Sequence, residues 1–367
     1  MFRLVRGVSM KKLADYKDQI EKCSKCGKCQ EVCPIYHATG NDCAVSRGKF
    51  TMLKGVLNGE LKLNKTIIKY IDMCLKCEKC KSYCPSGIDV CEIFSTAKSE
   101  YVKNTLYGKI TRFLQSREVF NRILNTFYIR KTPKDLKNKE NKTKLLYFSG
   151  CANKKFPNTE KSIKKVLSKY DVELIEKDFD CCGIPFISSG NMERFNEAKN
   201  KNKELLAGDY TYIITDCASC ESTIKSYAQN GDVEHNIVNV CHFLAIQDKK
   251  FIFKKPVKVT FHKPCHLKTD NFLRPILDRC ENVEYVEAKD YDQCCGFSGE
   301  FCVHNPKISK DLATQKARNL LVTGADIILT ACPACVIGIN EGFLLNGNLI
   351  HPKVINLVEF LAMAEIE

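Results

Sequence analysis

Two short cysteine runs are the first stretches of this sequence that could do chemistry. CSKCGKCQEVCP starts at Cys23 and CLKCEKCKSYCP starts at Cys74, and each spaces four thiols at intervals of three, three and four residues. Thiolates are soft donors, and clustered thiolates favour iron–sulfur clusters or zinc over hard cations. The chain holds 23 cysteines in 367 residues, so the two runs account for only part of its thiols.

The spacing CxxCxxCxxxCP is typical of two-cluster ferredoxins. Three cysteines of each run hold one [4Fe–4S] cubane, and the fourth, followed by proline, reaches the other cluster. The predicted ligands are Cys23, Cys26, Cys29 and Cys84 for one cluster, and Cys74, Cys77, Cys80 and Cys33 for the other. A structural zinc site would need two CxxC pairs and not two such runs. Attached c-type haem is excluded because no CxxC is followed by histidine.

Ten more cysteines recur as two sets of five in the second half of the chain. The sets are Cys151, Cys181, Cys182, Cys217 and Cys220, and then Cys265, Cys294, Cys295, Cys332 and Cys335. Matching stretches around them lie 113 to 117 residues apart, which indicates a tandem duplication. Five donors are one more than a cubane or a tetrahedral zinc site needs. If each site held a cubane or zinc, one cysteine of each set would be left over, in both halves.

The elements that must position these sets have the pattern of alternating strands and helices. In each half a β-rich run leads to the first cysteine, a second strand precedes the CCG triplet, and a buried strand precedes the last CxxC. This alternation predicts parallel α/β units, whose strand ends bring loops to one edge. We predict an α+β chain with four parts: a mostly helical two-cluster ferredoxin-like domain at 1–100, a helical and basic linker at 101–143, and CCG domains at 144–250 and 251–367.

Two family resemblances follow from these motifs. The region from Cys23 to about Lys98, with SRGKF and CPSGID, resembles the ferredoxin-like part of the glycolate oxidase iron–sulfur subunit. From about Lys144 onward the chain resembles the CCG domains of heterodisulfide reductase-like iron–sulfur oxidoreductases. That resemblance implies a non-cubane [4Fe–4S] assembly in each set of five; the alternatives are ordinary cubanes, or only structural metal in one of the halves. It also implies one-electron steps in the reduction of a mixed disulfide between two thiol coenzymes.

Histidines distinguish the second set of five from the first. His262 and His266 flank Cys265, where the first half has Ser149 and Asn153. One interpretation makes the second half the substrate side, with histidines supplying protons and with Cys265, Cys294, Cys295, Cys332 and Cys335 as the catalytic cysteines. The other is hydrogen bonding around the metal or plain packing.

The remaining histidines and cysteines receive simpler interpretations. His242 and His304 are expected to pack, and Cys241, which aligns with Val358, is expected to be an apolar filler. Cys43 and Cys91 are interpreted as structural thiols, Cys302 is a candidate neighbour of the second set, and Cys280 has no assigned role.

Composition narrows the class of protein. The net charge of +14 is concentrated between residues 101 and 150, which indicates a solvated basic segment or a docking face for an acidic partner or anionic substrate. Basic residues are not interleaved with aromatics, so nucleic acid is not an expected partner. Without an export signal or a run of 18 apolar residues, we expect a cytoplasmic chain with free thiols that reaches a membrane only through another subunit.

Neither a GxGxxG turn nor a phosphate-binding loop is present, so no flavin, NAD or nucleotide is expected on this chain. A flavoprotein or another electron-donor or electron-acceptor subunit must then exchange electrons with it. Two functions compete: reduction of a small disulfide at the CCG centres, or electron transfer for a separate flavoprotein that oxidises a 2-hydroxy acid such as glycolate or lactate. A zinc-loaded interaction protein is the third alternative, and it would be colourless. The Lys/Ile/Asn-rich composition suits an anaerobe.

Overall fold

Short helices carry the two N-terminal cysteine runs. The computed structural model describes residues 11–103, 105–116, 119–120, 142–154, 156–228 and 236–367. In the N-terminal part the α-helices are Lys17–Glu21, Lys28–Glu31, Pro34–Thr39, Ser46–Leu57, Lys65–Asp72, Lys79–Ser82, Val90–Val102 and Leu106–Leu114. Side-chain caps set two of the helix starts: Asn64 accepts from the N–H groups of Thr66 and Ile67, and Asp89 accepts from that of Glu92.

The loops that hold the two runs have the same backbone shape. Lys25 and Gly27 of the first loop have φ of 57° and 88°, and Lys76 and Glu78 of the second have φ of 54° and 58°. These left-handed residues lie at equivalent places, and they turn the backbone of both loops back on itself between the cysteines. The repeated spacing in the sequence therefore corresponds to a repeated loop.

Two parallel sheets form the C-terminal part, as predicted. The first sheet contains β1 (Thr143–Tyr147), β2 (Val172–Glu176), β3 (Tyr212–Thr215) and β4 (Asn236–Asn239) in the order β2-β1-β3-β4. The second contains β5 (Phe251–His262), β6 (Cys280–Tyr285), β7 (Ile327–Thr330) and β8 (Lys353–Asn356) in the order β6-β5-β7-β8. The identical strand order shows that the sequence duplication is a duplication of the fold.

Each sheet has an edge strand, at the same place in both halves, that the sequence analysis did not assign. IVNV and VINL, which repeat between the halves, supply β4 and β8 and lead directly into the helices Val240–Ala245 and Leu357–Leu361. A further short strand, β9 (Glu365–Ile366), pairs antiparallel with β5. The other α-helices of this part are Pro157–Leu167, Ile184–Ser189, Met192–Leu206, Ala218–Ala228, Leu273–Leu277, Phe301–His304, Pro306–Leu321 and Pro333–Leu345.

The two sheets meet along a seam at their carboxyl edges. The N–H of Ala218 donates to the carbonyl of Ala331 over 2.9 Å, and the Asn356 amide donates to the carbonyl of Asp216 over 2.9 Å. One apolar core continues through both halves, with Phe148, Phe261 and Phe343 fully buried. The two CCG halves thus pack as a single body.

The predicted linker lies only partly within the described residues. The helix Leu106–Leu114 covers its start, whereas the basic segment that begins at Arg130 lies outside the described ranges. The domain limits proposed from the sequence stay predictions. Among the residues that the structure covers, none of the helices combines the length and apolarity needed to cross a bilayer.

Candidate metal centres

The structure brings the last cysteine of each run toward the other run. Burial raises the pKa of the Cys33 thiol, and nearby Cys74 raises it further. Burial also raises the pKa of Cys80 to about 12, with Cys74 and Cys33 adding to the effect. On the other side, the Ser86 hydroxyl, two residues beyond Cys84, donates to the carbonyl of Lys22 over 3.0 Å. This arrangement agrees with the predicted crossed sets, which remain a proposal.

A buried lysine lies beside the second run, and the sequence analysis did not single it out. Lys49 is 2% exposed. Its ammonium donates to the Met73 carbonyl over 3.2 Å and lies 5.2 Å from the centre of the Phe94 ring. On the helix Ser46–Leu57 it shares its face with buried Phe50 and Leu53. The sequence did contain a signal for this buried lysine, because Lys49 lies at helical spacing among apolar residues.

Cys91 is a second neighbour that the motif could not reveal. Its thiol hydrogen-bonds to Cys74, and this bond is the main cause that lowers the pKa of Cys74 to about 5. The same contact raises the pKa of Cys91 well above its usual value. The ferredoxin spacing contains no position for Cys91, because the contact arises from packing of the helix Val90–Val102 against the loop.

The ten CCG cysteines gather where the parallel strands end. Cys217 and Cys332 follow β3 and β7 by two residues, and Cys220 and Cys335 lie in the first turns of the helices that come next. The sulfurs of Cys151 and Cys181 are 3.5 Å apart, and those of Cys265 and Cys294 are 4.0 Å apart. The remaining members of each set interact through side-chain hydrogen bonds with these or with one another. Both predicted sets are thus assembled in space.

The two sets touch across the seam. The sulfurs of Cys217 and Cys332 are 3.9 Å apart. These residues occupy equivalent positions in the two halves, so the contact joins matching points of the two sheets.

These residues fit metal clusters. Two thiolates bound 2.3 Å from one tetrahedral metal lie about 3.8 Å apart, which is close to the observed separations. At Gly150 an added Cβ would lie 2.9 Å from the Cys220 sulfur, so the backbone leaves room for the thiols and little more. Soft, crowded and mostly buried donors are the set that iron–sulfur clusters take.

Hydrogen bonds polarise the thiols within each set. Those from Cys294 and Cys335 hold the pKa of Cys295 well below its usual value. Those from Cys181 and Cys220 do the same for the pKa of Cys182. The adjacent cysteines of each CCG triplet thus differ in their readiness to lose a proton.

The second ferredoxin run packs against the second CCG set. Cys77, Cys265 and Cys294 belong to one small apolar cluster that also includes Leu75 and Phe301. A cleft of about 720 Å³ opens beside Cys77 and Cys265. Its walls also carry the basic and acidic side chains of Lys79, Lys263, Lys268, Asp290 and Asp292.

The two histidines beside Cys265 have different surroundings. His266 Nε2 lies 3.0 Å from the Lys76 carbonyl, and Nδ1 lies 2.8 Å from the Ser219 hydroxyl. Because a carbonyl only accepts, Nε2 carries the hydrogen and a neutral ring accepts the Ser219 proton at Nδ1. His262 is completely buried, and its ring nitrogens make no well-formed hydrogen bond, although the Tyr291 backbone lies within reach of one of them. Burial lowers the pKa of His262 well below its usual value.

The other singled-out residues lie in ordinary surroundings. Cys241 is buried in the core, the Cys280 thiol donates to the carbonyl of Ile276, and the Cys302 thiol donates to that of Gly299. The rings of His242 and Phe272 pack edge to face, with centres 4.8 Å apart. His304 hydrogen-bonds to the Tyr107 hydroxyl.

Comparisons with known proteins agree with this organisation. Residues 19–88 match the family described as 4Fe-4S dicluster domain, and residues 145–225 and 259–340 match the cysteine-rich domain family named CCG. A subunit of the "fumarate reductase (CoM/CoB)" of Methanothermobacter marburgensis is 33% identical over 232 residues, which cover 60% of this chain and 46% of that relative. The chain therefore spans less than half the length of that protein.

Two other relatives match nearly end to end. A subunit of the "dihydromethanophenazine:CoB--CoM heterodisulfide reductase" of Methanosarcina barkeri is 25% identical, and the match covers 93% of both chains. The "probable glycolate oxidase iron-sulfur subunit" of Bacillus subtilis is 22% identical, and the match covers 95% of this chain and 96% of that one. With its dicluster domain followed by two CCG domains, the chain belongs to the family of iron–sulfur oxidoreductases that includes the heterodisulfide reductase and glycolate oxidase iron–sulfur subunits.

Proposed function

We propose that this chain passes electrons from two ferredoxin-type [4Fe–4S] clusters to its CCG centres, where a disulfide is reduced. The reaction is RSSR′ + 2e⁻ + 2H⁺ → RSH + R′SH. A flavoprotein or another electron-donor subunit supplies the electrons. Bound iron–sulfur clusters supply the one-electron redox chemistry; the chain supplies their ligands, their order and access for the substrate.

The contact of Cys217 with Cys332 is the observation that carries this proposal. Cleavage of a disulfide requires two electrons, and the seam brings two five-cysteine sets together, with sulfurs 3.9 Å apart. The packing of Cys77 against Cys265 and Cys294 joins the ferredoxin part to the same region. The cysteines thus form a continuous path from the second run to the seam.

The cleft beside Cys77 and Cys265 gives a small molecule access to this path. Its volume of about 720 Å³ falls within the range of about 300–1,000 Å³ typical of small-molecule sites. Lys79, Lys263 and Lys268 on its walls are each ion-paired, with Asp292, Asp270 and Glu78 respectively, so a substrate would meet paired charges there. His266, fixed between Ser219 and the Lys76 carbonyl, holds its imidazole next to Cys265.

The names of the relatives support a disulfide of two thiol coenzymes as the substrate. The heterodisulfide reductase of Methanosarcina barkeri carries CoB and CoM in its name, and so does the fumarate reductase of Methanothermobacter marburgensis. The alternative is electron transfer for a flavoprotein 2-hydroxy-acid dehydrogenase. The nearly complete coverage of the glycolate oxidase iron–sulfur subunit is the observation that favours it.

The test uses anaerobically purified, iron-replete full-length protein. Oxidation of a reduced viologen dye is followed after addition of the coenzyme M–coenzyme B disulfide. We expect turnover that Cys294→Ser abolishes and Cys280→Ser retains, because the Cys280 thiol donates to the Ile276 carbonyl outside both sets. Clusters that the dye reduces without any turnover would contradict disulfide reduction and favour the electron-transfer alternative.

A further inference from the structure

We propose that the second CCG centre has a sixth donor, a ring nitrogen of His262, which binds metal together with Cys295 and Cys335. The inference deepens the proposed function and rests on its metal-loaded second CCG domain. It makes this centre a mixed cysteine–histidine site and distinguishes it from the first.

The three side chains converge at the carboxyl end of β5. His262 is the last residue of that strand. Its ring nitrogen and the sulfurs of Cys295 and Cys335 all lie within 4.8 Å of one another, and all three residues are buried. Donors this close can share one metal ion after small side-chain adjustments.

The imidazole lacks the hydrogen bonds that a buried polar group requires. His262 is 0% exposed, and its ring nitrogens make no well-formed hydrogen bond; the Tyr291 backbone lies within reach of one of them, which leaves the other for a metal. Burial of an unpaired polar group is unfavourable, and such groups are rare in folded proteins. A bond from one ring nitrogen to metal satisfies that nitrogen. Metal binding thus accounts for the burial of the His262 imidazole.

The chemistry of the donor set favours a neutral ligand. Five thiolates already bring five negative charges to the second set, and an imidazole adds a donor without adding charge. In iron–sulfur proteins, replacement of cysteine by histidine raises the reduction potential. A nitrogen donor at this centre would therefore make it the better electron acceptor of the two.

The first centre has no equivalent donor. Phe148 and Phe261 occupy matching positions at the ends of β1 and β5, and the residue that follows is Ser149 in the first half and His262 in the second. A serine hydroxyl is a poor ligand for a soft metal centre. We therefore expect one nitrogen-ligated centre per chain.

The experiment measures the nitrogen directly. Full-length protein is labelled with ¹⁵N at histidine and reconstituted anaerobically. Pulsed EPR then measures the hyperfine coupling of nitrogen to the centre. The same preparation with ⁵⁷Fe is studied by Mössbauer spectroscopy, which also reports on a diamagnetic centre. We expect a strongly coupled nitrogen and a distinct iron subsite in the wild type. Both should be lost in His262→Ala and retained in His266→Gln.

Three results would overturn the inference. The first is a wild-type protein that holds Cys294-dependent iron but shows only the weak nitrogen coupling expected of an N–H···S hydrogen bond. That result would show that His262 is not a ligand. Persistence of the strong coupling in His262→Ala would assign it to another histidine. Absence of Cys294-dependent iron would refute the metal loading of this domain, and the proposed function with it. His262→Cys, which keeps a donor, is the second variant if His262→Ala fails to load.

Discussion

At the scale of single residues, the side chains that contact the cysteines give each metal site its own electrostatics. Lys49 places a buried ammonium beside the second ferredoxin run, where it opposes the effect of burial on the pKa of Cys33. Near the second CCG set, Lys316 is fully buried and donates to the Asp290 carbonyl. The equivalent residue of the first half is Asn202, which is neutral and hydrogen-bonds to the carbonyls of Asp180 and Cys181.

Lys49→Met should lower the reduction potential of the cluster next to the second run. Loss of a buried positive charge destabilises the reduced, more negative state, and a shift on the order of 60 mV corresponds to a tenfold change in a one-electron equilibrium. A redox titration followed by EPR measures it. Lys54→Met on the exposed face of the same helix is the control. Equal potentials in the two variants would contradict a role for the Lys49 charge.

At the scale of elements, the turn after each CCG triplet depends on its glycine. Gly183 has φ of 96° and Gly296 has φ of 83°. At Gly296 an added Cβ would lie 2.6 Å from the backbone oxygen of Ser309, in the helix Pro306–Leu321. The glycine therefore lets this helix approach the adjacent cysteines closely.

Gly296→Ala should lower the free energy of unfolding by at least about 1–3 kcal/mol, the usual cost of a left-handed non-glycine residue, with the backbone contact adding to it. Gly299→Ala is the control, because Gly299 also has a positive φ, 56°, but no atom lies within 4 Å of its added Cβ. Chemical denaturation followed by circular dichroism compares the two. If Gly299→Ala proved equally harmful, the close helix approach would not be the cause.

The sequence predicted the repeated elements well, because periodic patterns report local structure. The parallel strands, their duplication and the position of Cys217 and Cys332 just past strand ends all follow from alternation and spacing. Contacts between segments that are distant in the sequence could not be predicted from alternation and spacing. The Cys91–Cys74 bond, the Lys49 ammonium and the seam arise from tertiary packing, which no local pattern encodes.

At the scale of the whole molecule, one buried lysine joins the ferredoxin part to both CCG halves. Lys98 lies on the helix Val90–Val102 and is ion-paired with Asp72 at 2.7 Å and with Glu300 of the second CCG half at 3.5 Å. Its ammonium also donates to the Ser188 carbonyl of the first half over 2.9 Å. The ferredoxin part is thereby fixed relative to both CCG halves.

Lys98→Met should destabilise the protein by roughly 3–5 kcal/mol, because it leaves two largely buried carboxylates without their shared cation. Thermal unfolding of the full chain detects the loss, and Lys103→Met, at an exposed position on the same segment, should change little. The double variant Lys98→Met with Glu300→Gln should recover part of the stability. Wild-type stability in Lys98→Met alone would show that other contacts hold the parts together.

The contact between equivalent residues at the seam has a consequence for how the two halves can diverge. In a symmetric homodimer the same residue would face itself across the axis, and every substitution would appear on both sides. Because both copies lie in one chain here, each can change by itself. Ser149 and His262, or Asn202 and Lys316, can therefore differ, and covalent linkage lets two sites of common origin acquire separate surroundings.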